Sequence, residues 1–518
     1  MTTSQFILAF DLGTSSLKGG LFGRDGTCIS TSTQPLALSL PEPGWAEQNC
    51  DDWWDAIVST AHRLIEEQKI EGPQIAAIGV SAQMCGTIAI DKAGHPLLPA
   101  MIWLDTRSHQ VAKDIMDGWI TISGYGVTPL LSSLWTTNGA PNLSGKDPTS
   151  KILWIKKHRP DIWQQTERLF DVKDYISFRL TGVTSTTPDC AHLSWLMDSR
   201  TNQWSHSILK RNGIPIKFMP DIVPPTTCLG NGLLPEAAFQ LGIAAGTPVV
   251  AGLGDVTATS LASGAVQNGA PNIYAGTSAW CAAHYPNRKV DPWTAIGTIR
   301  AADPEKYILV AAQETAGAGL ERVADLLGLQ ENGKPDVAGL MKLAEQSEPG
   351  ARDLHFLPWL LGERCPVDDP HLRGGFLNLD LAHNRGDITR AAIEGVCLNI
   401  RWASLHLFRN AKTPSAHPVR LLGGLAESDF FAQVLSDVLN LQIERIEAPK
   451  MAGVLGAAMC AATGIDWFAS IQDSLIWTKK IQMFKPNSSN TDLYAKKYDA
   501  FKRAWRNNKN WFGSNRSK

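Results

Sequence analysis

Apolar and polar positions alternate in short blocks along most of the chain, and the spacing inside the blocks switches between two periods. Phe6–Phe10 is a continuous apolar run ending at Asp11. Small polar residues follow, and Leu17–Phe22 resumes the apolar pattern, predicting a β-hairpin with Gly13, Thr14 and Ser15 at its tip and a further turn at Arg24-Asp25-Gly26. Over Asp51–Gln68 the period lengthens, with Trp54, Ile57, Val58, Ala61 and Ile65 on one helical face. Ile75–Val80 predicts a strand running into the small and polar residues Ser81–Thr87. Residues 120–150, crowded with Gly, Ser, Thr, Asn and Pro, predict irregular structure, and helices are expected near Ser150–His158 and Lys173–Leu180.

After Pro224-Pro225 and the Gly-rich Leu241–Gly254, the opening pattern partly recurs. Asn272–Ala275 and Trp280–His284 predict two short strands around Gly276-Thr277-Ser278, so Gly-Thr-Ser occupies the same place in two hairpins. Helices are expected at Ile388–Leu407 and Phe430–Leu439. Strands and helices alternating in this way indicate an α/β architecture. Two related lobes with a cleft between them follow, with a boundary near residue 255. The expected divisions are 1–255, 256–480 and a helical tail, 481–518.

Composition narrows the class. The chain has 518 residues, 44% apolar and 19% charged, enough for two large cores. Its net charge of -2, from 48 basic and 50 acidic side chains, gives no electrostatic reason to expect nucleic acid or a membrane surface as partner. The basic residues Lys496, Lys502, Arg503, Arg506, Lys509 and Lys518 are interleaved with Trp505 and Trp511, which predicts a docked or solvated terminal helix. Nine cysteines without a repeated spacing argue against a disulfide framework, and the lack of any CxxC pair argues against a zinc ribbon. The N-terminus lacks the features of a signal peptide, and the Ala- and Gly-rich Met451–Ile465 is shorter than a membrane span. A soluble, cytoplasmic protein is expected.

Both hairpin tips carry what a phosphate site needs: glycine for close backbone approach, with N–H and hydroxyl donors. Lys18 adds a positive charge beside the first tip. Asp11, at a strand end, suits either Mg²⁺ or a turn-forming Asx role. Asp255, after the apolar Pro248-Val249-Val250, suits a general base, a helix N-cap, or both. Gly423-Gly424 lies between a strand-like Val419–Leu422 and a helix starting near Ser428, a turn that lets a flat ligand lie against backbone. Gly328–Lys334 fails as a Walker A loop because Pro335 stands where Ser or Thr is required, and no GxGxxG follows a strand.

The ordered set of motifs resembles the FGGY carbohydrate kinases from near the start of the chain to about residue 465, and within them the xylulokinases. The motifs are Asp11-Leu12-Gly13-Thr14-Ser15, Trp45-Ala46-Glu47-Gln48, Trp53-Trp54, Ser81-Ala82-Gln83-Met84 and Trp103-Leu104-Asp105-Thr106-Arg107. They continue through Lys173-Asp174-Tyr175, Gly254-Asp255, Gly276-Thr277-Ser278, Gly362-Glu363-Arg364-Cys365-Pro366, Glu394-Gly395 and Gly423-Gly424. The resemblance implies an actin-like, ribonuclease-H-like fold in each lobe, with a sugar and MgATP as the small-molecule partners, and it leaves a homodimer open. It implies Asp255 as catalytic base and Asp11 as the Mg²⁺-linked aspartate. Gly13, Thr14, Ser15, Lys18, Gly276 and Thr277 fall on the phosphate side, Gly317, Gly424 and Ser428 on the nucleotide side, and Gln83, Met84, Cys85 and Asp105 on the sugar side.

Three positions depart from the xylulokinase pattern. Cys85 stands where histidine is usual, Val256 where asparagine is usual, and Leu425 where a third glycine is usual; residues 120–150, which border the sugar in the family, also fail to match the pattern cleanly. A thiol hydrogen-bonds poorly and a valine side chain not at all, so the first two bear on which hydroxyl compound is accepted. A ketose is the leading expectation, with another sugar acid or polyol as the alternative. A sugar sensor without turnover and an actin- or chaperone-like ATPase are competing classes. Asp11, Asp255 and both Gly-Thr-Ser tips weigh against the first, and the Gly-Glu-Arg-Cys-Pro motif weighs against the second.

Overall fold

The computed structural model describes residues 5–289, 294, 296–411 and 417–514. Two compact units divide the chain discontinuously. The first comprises the chain up to Ala262 with Thr298–Tyr307 and Gly453–Trp477; the second comprises Ser263–Gly297, Ile308–Ala452 and the chain from Thr478 onward.

In the first unit the opening apolar run forms β1 (Phe6–Leu12), which pairs antiparallel with β2 (Ser16–Gly23), and β2 pairs with β3 (Cys28–Pro35). The other side of β1 pairs in parallel with β4 (Ile75–Ala82), and β4 with the short β5 (Leu253–Gly254). The sheet order is therefore β3-β2-β1-β4-β5. β3 escapes a reading by apolar periodicity because it lies at the sheet edge, with only Ser32 buried among its eight residues. The helix Cys50–Glu67 covers this sheet with Trp53, Ile57, Ala61 and Leu64 buried, and Asn49 caps its N-terminus by accepting from the Asp51 N–H.

The second unit repeats the order. β6 (Pro271–Ala275) and β7 (Ala279–Tyr285) form the hairpin, β8 (Tyr307–Gln313) lies beyond β7, and β9 (Val419–Leu422) and β10 (Ile443–Ile446) continue in parallel from β6. β11 (Lys480–Phe484) adds antiparallel to β10, so the order within this unit is β8-β7-β6-β9-β10-β11. The recurrence of hairpin, parallel neighbour and second parallel neighbour supports the duplication read from the two Gly-Thr-Ser tips.

Two segments differ from expectation. Residues 120–150 contain a small hairpin, Thr121–Ile122 with Tyr125–Gly126, and a helix, Val127–Thr137. That helix buries Ser133 and Thr137 while exposing Leu131 and Trp135, the reverse of the amphipathic pattern by which a helix is recognised. The terminal segment contributes β11 to the sheet and the helix Thr491–Ser514, whose Tyr494 and Phe501 are fully buried in the second unit's core. Lys518, read as the end of the basic stretch, lies outside the described residues. The Met451–Ile465 segment forms the helix Ala452–Gly464, and no helix among the described residues is long and apolar enough to cross a membrane.

Phe501 packs with ring centroids 5.2 Å from Trp359 and 6.0 Å from Trp402. Phe501→Ala is expected to destabilise the second unit by about 3–5 kcal/mol, read as a lowered urea midpoint of its unfolding transition.

Candidate active site

Parallel pairing fixes where the two conspicuous acids emerge. Asp11 on β1 and Leu253 on β5 both register with Ser81 of β4, so Asp11 and Asp255 leave the sheet at the carboxyl ends of strands that share one neighbour. Asp11 accepts a hydrogen bond from Ser81 Oγ at 3.1 Å, and Lys18, its partner across the hairpin, places Nζ 3.9 Å from Oδ2. Asp255 opens the helix Asp255–Ala262 and accepts from the Val256 N–H at 2.8 Å. Burial drives its carboxyl up to about 7, and the neighbouring Asp11 charge adds to the shift; the Val256 N–H and Lys18 oppose it. At neutral pH this carboxyl is poised to gain or lose a proton, and its Oδ1 also serves the helix start.

A ring of side-chain bonds lies behind the first tip. Trp103 Nε1 donates to Thr14 Oγ1 at 2.8 Å, and that hydroxyl donates to Gln83 Oε1 at 3.1 Å. Gln83 Nε2 donates to Gln48 Oε1, and Gln48 Nε2 returns to the Thr14 carbonyl, both at 2.8 Å. The Thr14 hydroxyl, expected on the phosphate side, is thereby committed to the Gln83 side, whereas Ser15 is exposed and Gly13 half-buried at the tip. Three residues expected on the sugar side act from beneath. Gln83 is 2% exposed. Met84 is 6% exposed and packs against Gly254, where a Cβ would fall 2.4 Å from its sulfur. Asp105 is fully buried, accepting from the Ala46 N–H and from Arg107 Nε and Nη2. Arg107 also pairs with Glu47 at 2.7 Å and stacks 3.5 Å from the Trp45 ring centre. Cys85 alone of that set is partly exposed.

In the second unit Gly276, at the tip between β6 and β7, is half-buried and Thr277 exposed. The Gly276 N–H bonds the Ser278 carbonyl at 2.9 Å, as the Gly13 N–H bonds the Ser16 carbonyl at 3.0 Å. The helix Gly317–Leu326 begins against this tip: the Gly317 N–H donates to the Gly276 carbonyl, and the Ala316 and Ala318 N–H groups donate to the Thr277 carbonyl. A Cβ at Gly317 would sit 2.6 Å from the Gly276 oxygen, which explains the glycine. A Cβ at Gly424 would meet nothing within 4 Å, so its backbone faces open space. Ser428 spends its hydroxyl as N-cap of the helix Asp429–Leu439, accepting from the Phe431 N–H at 3.2 Å.

Supporting residues that sequence reasoning left without a role hold the approach to Asp255. Lys173, paired with Asp174 at 2.6 Å, donates to the Ala251 carbonyl, and Asp189 accepts from the Gly254 N–H at 2.8 Å. Gln48, Trp103 and Lys173 all lie in motifs that the sequence displays; their contacts reach across 34 to 89 positions and have no local signature. Asp171, Asp174 and Cys190 line a cavity of about 30 Å³, room for one or two water molecules, and none of Asp11, Gln83 or Asp255 touches it.

A repeated sheet with Gly-Thr-Ser tips and acids at strand ends places the protein in the two-domain actin-like, ribonuclease-H-like class. Residues 6–262 match the N-terminal domain of the FGGY family of carbohydrate kinases, and residues 272–465 match its C-terminal domain. The chain belongs to the FGGY family and is an ATP-dependent sugar kinase. It is 27% identical over 510 residues to a xylulose kinase from Bacillus subtilis (strain 168), covering 98% of this chain and 97% of that one. It is 28% identical over 481 residues to a gluconokinase from the same organism, covering 91% and 90%. A ligand-bound xylulose kinase from Lactobacillus acidophilus shares the fold with a TM-score of 0.87 at 24% identity, covering 98% and 99%. Relatives of both kinds at similar identity leave the sugar open.

Because the Asp255 carboxyl is raised from 3.8 to about 7, the folded state holds a proton that the unfolded state releases, and stability falls as pH rises through that window. Asp255→Asn is expected to raise the unfolding midpoint at pH 8 and leave it unchanged at pH 3, measured by thermal melts.

Proposed function

We propose that the protein transfers the ATP γ-phosphoryl group to a hydroxyl of a xylulose-like ketose, with Asp255 as general base. The observation that carries this reading is Asp255 itself, held at a strand end with its carboxyl raised to about 7. A base so poised takes the proton of the attacking hydroxyl as the new O–P bond forms and the bond from Pγ to the β-phosphate oxygen breaks. The proton resides on Asp255, and ADP leaves with the bridging oxygen.

The nucleotide is assigned to the second unit, with the exposed tip at Gly276 and Thr277 for phosphate and the open backbone at Gly424 for the flat ring system. Gly13, Ser15 and Lys18 are assigned to phosphate in the first unit. Thr14, Cys85 and Trp103 are assigned to the acceptor, with Gln83, Met84 and Asp105 fixing them from below. Mg²⁺ fits at Asp11. The carboxylate is nine-tenths buried, and a Cβ at Gly453 would fall 2.3 Å from its Oδ2, so backbone closes one side of it. No cage of three or more His, Cys, Asp or Glu exists among the described residues, which suits an ion held through one or two carboxylates, water and substrate phosphate. When bound, Mg²⁺ neutralises charge on the phosphate oxygens.

A sugar acid is the second reading. The likeness to a gluconokinase at 28% identity favours it.

Release of ADP with MgATP against ketoses, sugar acids, polyols and a no-sugar control decides between them. D-xylulose is expected to raise turnover far above the control; a response confined to an aldonate selects the second reading, and a flat panel refutes both. Asp255→Asn is expected to lower kcat by about 10²–10⁴-fold with MgATP binding retained. In the wild type kcat/KM is expected to fall with unit slope as pH drops below about 7. Near-normal turnover in the variant removes Asp255 from the role of base.

A further inference from the structure

Cys85 holds φ at +64°, the left-handed region in which a side chain costs about 1–2 kcal/mol. Glycine would occupy this backbone without that cost, so something must hold a cysteine there. An aspartate and a lysine side chain do so, and both act on backbone atoms. Asp171 accepts from the Cys85 N–H with Oδ2 at 3.1 Å and from the Gly86 N–H with Oδ1 at 2.7 Å. The same Oδ1 accepts from the Val172 N–H at 2.8 Å, making Asp171 the N-cap of the helix Val172–Thr181. Lys151, on the helix Pro148–His158, donates from Nζ to the Cys85 carbonyl at 2.8 Å and to the Ile102 carbonyl at 2.6 Å.

The Cys85 residue is thus gripped at its N–H and at its C=O. Through Lys151 it is also tied to the residue preceding Trp103, whose indole N–H reaches Thr14. Lys151 has no exposed surface, and both of its hydrogen bonds go to carbonyls. Burying an ammonium in that way is expensive. Burial pulls its pKa down to about 8, which expresses the same cost. An apolar residue at 151 would fill the helix face without that penalty.

We propose that Lys151 and Asp171 are positioning residues that fix the left-handed Cys85 and its spacing from Trp103, and so set acceptor selectivity without touching the acceptor. This rests on the assignment of Cys85 and Trp103 to the acceptor side. It predicts that the two side chains bear on the acceptor and leave the nucleotide alone, a separation that a general stabilising role would not produce.

The test is a double-mutant cycle of Lys151→Met and Cys85→Gly, reading KM for acceptor and for ATP together with thermal unfolding. Lys151→Met is expected to raise the acceptor KM about 10- to 100-fold, the loss typical of hydrogen bonds to a charged group, with the ATP KM within about twofold. In the Cys85→Gly background the same substitution is expected to cost distinctly less, because glycine keeps the left-handed backbone unaided. An equal effect in both backgrounds, or equal rises in both KM values, overturns the proposal. If Lys151→Met does not fold, Asp171→Asn replaces it in the cycle, since an amide cannot present an acceptor on both of its arms. A crystal structure of the variant used reads the grip independently of turnover: Cys85 leaving positive φ supports the proposal, and an unchanged φ overturns it. A wild type that turns over no acceptor counts against the functional reading, whereas an active wild type with an uncoupled cycle counts against the grip.

Discussion

Two carboxylates brought to the ends of strands that share a neighbour repel each other, and much of the first unit's polar interior answers to that constraint. Asp11 is held by Ser81 and faced by Lys18, whereas Asp255 has the first N–H of its own helix. Burial, with the Asp11 charge adding to it, leaves Asp255 with a raised proton affinity. Holding that affinity requires a fixed backbone at residues 251–255, and the Lys173–Asp174 pair and Asp189 secure it from two sides.

The second unit applies the same sheet to another task. Its tip is stiffened by carbonyls that accept from the start of the helix Gly317–Leu326, so its exposed face is presented by backbone and small side chains. The fully buried Glu363 accepts from the Glu314 and Arg364 N–H groups and from Asn399, and Arg364 pairs with Glu314 at 3.0 Å. The Gly-Glu-Arg-Cys-Pro motif therefore works through the segment that leads into that helix.

The hairpins, the first covering helix and the recurrence of Gly-Thr-Ser were legible because each is written in a local period or a local turn. The helix Val127–Thr137 was not, since it turns its apolar residues outward. Asp11, Asp255 and Gly317 could be singled out by motif, but burial could not. That Gln83 and Asp105 lie beneath the surface, and that the Thr14 hydroxyl turns toward Gln83, depends on partners 59 to 70 positions away. Lys151 is the sharpest case, a lysine in a stretch of isoleucine and leucine whose reason lies in two carbonyls of other segments.

The interleaving of the two units has a consequence for how the protein comes into being. β1 emerges early in synthesis, yet the helix whose Gly453 closes against Asp11 follows some 440 positions later. β6 likewise precedes Tyr494 and Phe501, which complete its unit's core. At about 5–20 residues per second a ribosome takes tens of seconds to cover either distance. During that time both sheets have apolar surface awaiting its cover, so neither unit can reach its final core as a finished N-terminal piece. The order of the protein's genetic text is therefore a poor guide to the order in which its two halves become whole.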